Sequence, residues 1–262
     1  MSSPAAIRVW ESYFTFYRVH WKSNVFGAFI QPFLYLLGMG VGVGALVDSG
    51  TGSAAGGSLG GLSYYEFLAP ALLATTGMML GAGESLWPTM GGFKWQRFFH
   101  AQAQTPLSTG QIVGGYLLWQ ATRAGIGVCG VAVVLSLFPG SRSWGLLAAA
   151  PFGVLTGLAF AAPLMAWAAT RESERSFPNI MRFGITPLFL FGGAFYPISE
   201  LPDWLESVAK ATPLWHGVEL CRGSVHGTLT AAALAVHVAY LAGLTLVGAL
   251  LARRAFRTRL AE

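Results

Sequence analysis

The stretch WGLLAAAPFGVLTGLAFAAPLMAWAA, Trp144 to Ala169, contains no charged side chain. A helix needs roughly 20 mostly apolar residues to cross a bilayer core, so this stretch reads as a membrane span. Working outward, four further stretches have the same character. Val25 to Val47 holds only Gln31 as a clearly polar residue, and Leu229 to Leu251 holds only His237 as an ionisable one. Tyr64 to Leu86 is apolar apart from Glu66, Glu84 and a few hydroxyls. Gln111 to Phe138 is interrupted by Gln111, Gln120, Arg123 and Ser136. Phe183 to Tyr196 is apolar but short and contains Pro187, so it must recruit Ile180 to Arg182 or end in a re-entrant turn. The expectation is an all-α integral membrane protein with six transmembrane helices, over 25–47, 64–86, 111–138, 144–169, 180–196 and 229–251, forming one domain over 1–262.

Composition agrees. Of 262 residues, 54% are hydrophobic and 10% charged, against about 25% charged in an average soluble domain. A soluble enzyme, a disordered tail and a nucleic-acid module are thereby disfavoured. The net charge of +5 is explained by topology. Arg8, Arg18, Lys22, Lys94, Arg97, Arg171, Arg175, Arg182, Arg253, Arg254, Arg257 and Arg259 flank one side of the expected spans. Only Arg142, Lys210 and Arg222 flank the other. The positive-inside bias places both termini in the cytoplasm, which an even number of spans also requires. The Arg-rich tail then contacts anionic lipid headgroups, with no role in nucleic-acid binding. The first 23 residues lack the short apolar core of a cleavable signal, so the first span is expected to persist as an anchor.

Four segments outside the spans carry further information. Residues 4–22 place Ile7, Trp10, Phe14, Tyr17 and Trp21 on one helical face and Arg8, Thr15, Arg18 and Lys22 on another. This predicts an amphipathic helix in the inner interface. Residues 48–62 are rich in Gly and Ser and predict a flexible external loop. In 88–108, Pro88 and Gly91–Gly92 are expected to break the preceding span. Phe93 to Gln104 forms a short helix that Pro106 ends, and its rings beside Lys94 and Arg97 suit a docking element. In 197–227, Ile198, Leu201, Trp204, Leu205 and Val208 recur near helical spacing between Pro197, Pro202 and Pro213. They predict short helices that dip back into the outer leaflet.

Several chemistries are absent. None of the three lysines follows a glycine, which excludes a Walker A phosphate loop. The five histidines show no paired metal spacing. Cys129 and Cys221 are expected to be buried free thiols. Gly38/Gly42, Gly40/Gly44, Gly77/Gly81 and Gly153/Gly157 stand four residues apart inside spans, a spacing that lets helices approach closely. Arg123 lies deep in a span and must face protein or water. Glu84 and Glu66 fall near opposite ends of their span, so neither is matched to it by depth.

The residues also carry a family likeness. QPFLYLLGMGVGVGALV (Gln31 to Val47), FLAPALLATTGMMLGAGES (Phe67 to Ser85), GGFKWQRFFHAQAQTPLS (Gly91 to Ser108) and above all PLFLFGGAFYPISELPDWLESVAKATPLWHGVELCR (Pro187 to Arg222) resemble the membrane subunit of ABC-2 type transporters. Within that family the likeness is to the nodulation-type lipo-oligosaccharide and daunorubicin-type drug exporter branch. In the last stretch the family's small-residue turn, aromatic–Pro, Leu–Pro, Pro and late Arg correspond here to Gly192–Gly193, Tyr196–Pro197, Leu201–Pro202, Pro213 and Arg222. One departure is Gly192, where relatives often have Ser.

The resemblance implies a type V ABC exporter-like permease in the bacterial plasma membrane. It implies a dimer of permease subunits, expected as a homodimer, working with two copies of an ABC ATPase. ATP and Mg would bind the ATPase and no cofactor this chain. It makes 88–108 the coupling helix, with Phe93, Lys94, Trp95, Arg97, Phe98 and Phe99 meeting the ATPase. Tyr196, Pro197, Leu201, Pro202, Pro213 and Arg222 would belong to the external gate. Phe33, Tyr35, Leu36, Met39, Met78, Met79, Phe189 and Phe191 are the residues expected to line a path for a drug, lipid or lipo-oligosaccharide. An ion-coupled secondary transporter and a lipid-acting membrane enzyme are rival readings. The first lacks a mid-span carboxylate, and the second lacks a nucleophile–base or metal constellation.

Overall fold

A computed structural model of the chain describes residues 5–35, 37–38, 42, 44, 59, 61–138 and 142–261, with backbone alone for 20–33 and 35. Its regular elements are helices: α1 (Ala5–Tyr35), α2 (Tyr64–Lys94), α3 (Phe98–Ala103), α4 (Thr109–Leu137) and α5 (Gly145–Ala169). A broken helix follows, composed of α6 (Phe177–Ile180), a π-helical turn (Met181–Ile185) and α7 (Thr186–Phe191). Then come α8 (Asp203–Lys210), α9 (Pro213–His226) and α10 (Ala231–Ala261). Among the described residues, α4, α5 and α10 are long and apolar enough to cross a membrane. Most of the expected loop 48–62 lies outside the described residues.

Two boundaries differ from the sequence reading. The expected interface helix 4–22 and the start of the span 25–47 form one continuous helix, α1. Neither Gly nor Pro separates Lys22 from Val25, so nothing in the backbone ends the helix there. Its rings also turn toward protein. Trp10 donates its indole N–H to Thr122 at 2.9 Å, Tyr13 stacks on Trp119 of α4, and Tyr17 meets the same ring edge-on. The second difference is that α2 runs through Pro88, Gly91 and Gly92 to Lys94. Those residues do not break it.

Proline inside a membrane helix leaves the carbonyl four residues earlier without its donor, and lipid supplies none. Neighbouring elements answer both such carbonyls in α2. Pro88 frees the carbonyl of Glu84, which accepts from Gln120 Nε2 at 2.7 Å and from the Tyr116 hydroxyl at 3.1 Å, both on α4. Pro70 frees the carbonyl of Glu66, which lies 3.2 Å from His226 Nε2 of α9. The ends of the helices are capped as well. Ser63 and Glu66 close a capping box at the start of α2, and Ser108 and Gln111 close another at the start of α4.

The core centres on α5, which packs against α2, α4, α9 and α10. The α2–α5 crossing is backbone on backbone. A Cβ at Gly77 would collide with the carbonyl of Gly153, and one at Gly81 with the carbonyl of Gly157. The four-residue glycine spacing in those two spans therefore does create a close approach, as expected. At the basic end, Arg259 of α10 donates to the carbonyls of Ala169 (2.9 Å) and Ala168 (3.4 Å), satisfying the end of α5. Its guanidinium also lies 4.5 Å from the centroid of the Phe93 ring.

The structure supplies the partner that sequence depth did not give Arg123. Its Nη2 and Nε donate to Glu84 Oε1 at 2.6 and 3.2 Å, and its guanidinium lies 5.1 Å from the Tyr17 ring. The pair ties α1, α2 and α4 together away from bulk water, with side chains 14% and 27% exposed.

Two measurements check this packing. Gly81→Leu should lower the thermal midpoint of the purified chain by several degrees, as expected for overpacking that costs about 1–3 kcal/mol. Gly83→Leu, where a Cβ meets nothing within 4 Å, should leave it unchanged. Glu84→Gln alone should destabilise by up to about 3 kcal/mol by stranding the arginine. Adding Arg123→Gln should recover part of that loss, giving a favourable coupling energy in a double-mutant cycle.

Candidate coupling surface and gate

The six residues expected at the coupling element divide into two groups. Phe93 and Phe99 are buried, and Phe98 packs half-buried beside them. The rings of Phe93, Phe99 and Phe256 form a triangle with centroids 4.7–4.8 Å apart. Phe99 also meets Tyr116, and Phe98 meets Tyr13. This wedge joins α1, α2, α3, α4 and α10. Gly92 permits it, because a Cβ there would enter the Phe98 and Phe99 rings. The glycine that reads as a helix breaker is thus a packing position. Buried Phe93 and Phe99 offer no contact surface, so the six residues expected at one docking element divide into a buried anchor and an exposed tip.

Lys94, Trp95, Gln96 and Arg97 are the exposed tip. Trp95 is 55% exposed. Arg97 has φ 54°, the only positive φ at a non-glycine among the described residues. This reverses the chain between α2 and α3 and is costly for a residue with a Cβ. The loop after α5 lies alongside. Lys94 Nζ donates to the carbonyl of Glu172 at 3.3 Å and sits 3.9 Å from the Glu174 carboxylate. Arg171 lies over the Trp167 ring. Between tip, loop and the end of α10 is a cavity of about 640 Å³ lined by Lys94, Arg97, His100, Arg171, Glu172 and Arg259 among others. Burial, then the charges of Arg97 and Arg259, lowers the His100 pKa. Positive charge at this surface therefore comes from Lys and Arg.

At the opposite end, Gly193 takes φ 78° just after α7 and turns the chain back. Tyr196, Pro197 and Leu201 are half-buried along the following turn, and Pro202 is exposed. Pro213 opens α9 beside the Thr212 cap. Arg222 binds these pieces together. It donates to the carbonyls of Gly193 (2.9 Å) and Phe67 (3.4 Å) and to Glu219 (3.3 Å), with its guanidinium 3.8 Å from the Phe67 ring centroid. Burial lowers its pKa to about 10 against the opposing pull of Glu219, so it stays charged at neutral pH. The late arginine picked out in the sequence is the clamp of this region.

The described residues expected to line a path differ in exposure. Met78 is fully buried in the core, which removes it from any open surface in this conformation. Met79 and Phe189 are half-buried and Phe191 is exposed. Leu36 and Met39 lie outside the described residues, as do the side chains of Phe33 and Tyr35.

Further features lie outside the two candidate surfaces. Cys221 is buried as expected, and burial raises its thiol pKa to about 12. Cys129 is exposed, contrary to expectation, because it lies on the outer side of α4. His216 and His237, 21 residues apart, bring their Nδ1 atoms within 2.7 Å beside Trp215 and Tyr240. Burial, then His237, lowers the His216 pKa to about 4. The capping boxes were legible as Ser-x-x-Glu and Ser-x-x-Gln, a spacing the span reading passed over. Among the described residues no group of three or more His, Cys, Asp or Glu side chains is placed to hold a metal.

The sequence profile of the ABC-2 type transporter family matches residues 8–226. Nodulation protein J of Rhizobium leguminosarum bv. trifolii is 32% identical over 216 residues, covering 82% of this chain and 79% of that protein. Nodulation protein J of Rhizobium meliloti (strain 1021) is 31% identical over 223 residues, covering 85% and 81%. The inner membrane transport permease YadH of Escherichia coli (strain K12) is 25% identical over 160 residues, covering 60% and 61%. With its apolar helices and its lack of a Walker A loop, the chain belongs to the ABC-2 type transporter family, as a membrane permease subunit of an ABC transporter.

Proposed function

We propose that this chain is the permease subunit of an ATP-driven exporter of a hydrophobic or amphiphilic substrate of the drug, lipid or lipo-oligosaccharide class. It spans the bacterial inner membrane six times with both termini cytoplasmic. It pairs with a second permease, a copy of itself, and with two ATPase subunits that bind ATP and Mg.

The observation that carries this reading is the exposed Lys94–Arg97 tip held on the Phe93–Phe99–Phe256 wedge. A tip on a rigid, multi-helix anchor transmits a push that a loose loop would absorb. When the ATPases close, force on Trp95 and Arg97 passes through Phe93 and Phe99 into α2, α4 and α10 together. At the far end Arg222 joins the start of α2 to the Gly193 turn and α9, so tilting α2 loads the gate. With Met78 buried in the core, half-buried Met79 and Phe189 and exposed Phe191 are the described members left for the proposed path. An ion-coupled carrier needs a carboxylate free to take up an ion within its spans. Glu66 is engaged in a capping box and Glu84 by Arg123, and α4, α5 and α10 contain no carboxylate before the terminal Glu262.

The test is transport and ATP hydrolysis by the reconstituted permease–ATPase complex. Trp and Arg at interface centres each contribute about 2 kcal/mol or more. At roughly thirtyfold for one such residue, Trp95→Ala with Arg97→Ala together should weaken docking of the ATPase by more than thirtyfold, up to about a thousandfold if the losses add, and abolish substrate-coupled hydrolysis, with the permease still folded. Unchanged transport by the double variant would remove the coupling assignment. Full activity of the chain without any ATPase would remove the exporter reading itself.

A further inference from the structure

A groove of about 910 Å³ opens between α4 and α5 at the gate end of the molecule. Both helices are apolar enough to cross a membrane, so a side opening between them faces lipid. The walls are apolar, with Val133 of α4 and Leu147, Ala150 and Val154 of α5 among the lining residues. Two rim residues differ in kind. Trp144 is 88% exposed, and tryptophans of this sort settle at headgroup depth. Arg142 stands beside it, exposed, with Nε donating to the carbonyl of Ser136 at 3.2 Å. That bond holds the guanidinium toward the rim, and among the described residues its two terminal nitrogens have no partner. Ser143 holds the same corner down by donating to the carbonyl of Val225 at 3.0 Å.

Charge at this end selects the ligand. Lys210 is paired with Glu206 at 2.7 Å and Arg222 with Glu219 at 3.3 Å. Among the described residues Arg142 has no carboxylate partner. The groove also carries an acceptor, since Pro151 has no N–H and so frees the carbonyl of Leu147, one turn earlier. No described side chain donates to that carbonyl, unlike the freed carbonyls of Glu84 and Glu66.

We propose that this groove binds a membrane phospholipid with an anionic, hydroxyl-bearing headgroup. Its phosphate lies on Arg142, a headgroup or glycerol hydroxyl reaches the Leu147 carbonyl, and one acyl chain lies along Val133, Ala150 and Val154. The site is separate from the coupling surface and the path, and it does not rest on the direction of transport or on the substrate. An apolar furrow alone would accept any acyl chain. The cation at headgroup depth makes the site prefer one lipid class over another.

The test uses the full permease–ATPase complex in nanodiscs of phosphatidylcholine with phosphatidylglycerol. Native mass spectrometry reads the lipid retained per complex. The wild type should retain phosphatidylglycerol in preference to phosphatidylcholine. Arg142→Gln should reduce that preference about fivefold, the equivalent of roughly 1 kcal/mol for one basic residue at an anionic membrane surface. Arg142→Lys should keep most of it, and Ala150→Phe should reduce retention of both lipids. An unchanged preference in Arg142→Gln would overturn the proposal. So would efficient disulfide cross-linking of Cys129, which also lines the groove, between two permease copies, because the groove would then be a subunit interface. A third contrary result would be loss of transport in Ala150→Phe with lipid retention intact, which would give the groove to the substrate.

Discussion

Everything in this bundle is arranged around one contact, the backbone crossing of α2 and α5. In lipid the surroundings of a helix are as apolar as its side chains, so burying leucines drives association little. Dispersion at very short range and hydrogen bonding must do it instead. Gly77 and Gly81 against Gly153 and Gly157 bring two backbones together without intervening side chains. Because α5 then has no room to shift, α9 and α10 take their places from its other faces. α5 has no charged residue and two prolines. Its position comes almost wholly from the shape of its small residues.

The second constraint is the polar debt that a proline creates in lipid, which neighbouring helices answer at both prolines of α2. Pro88 and Pro70 lie 18 residues apart in α2, and their freed carbonyls are met by α4 and α9 respectively. Hydrogen bonding thus ties α2 to one neighbour near the Lys94–Arg97 tip and to another near the Gly193 turn. The Glu84–Arg123 pair adds a charged bond close to the first of these ties. α2 is therefore joined at two heights to elements that lead to opposite surfaces of the membrane.

Much of this was legible in the sequence. α4, α5 and α10 begin and end within a few residues of the charge-poor stretches, except that α10 runs on through the arginines to Ala261. Helical hydrogen bonding continues past the apolar limit once water is available to the side chains. The glycine pairs of α2 and α5 also read correctly, since a spacing of four residues is a surface property of one helix. What failed required knowing the neighbour. Gly91 and Gly92 look like breakers by propensity, yet a continuing helix is worth keeping where Phe98 and Phe99 must pack against it. Depth along a span does not pair Arg123 with Glu84, because α2 extends eight residues beyond the expected end at Leu86. The contact of His216 with His237 has no local signature at all. Phe93 and Phe99 were grouped with Trp95 because composition cannot tell which aromatic faces inward.

The seal that Arg259 places on α5 has a consequence for the order in which the molecule is made. The carbonyls of Ala168 and Ala169 accept from a side chain 90 or more residues further along the chain. At about 5–20 residues per second, the ribosome reaches that arginine roughly 5–20 s after the helix it closes. Until then, water holds those carbonyls, and the Phe93–Phe99 wedge lacks the ring of Phe256 that completes it. The Lys94–Arg97 tip is thus synthesised well before α10 yet gains its full aromatic anchor only once Phe256 of that helix has arrived.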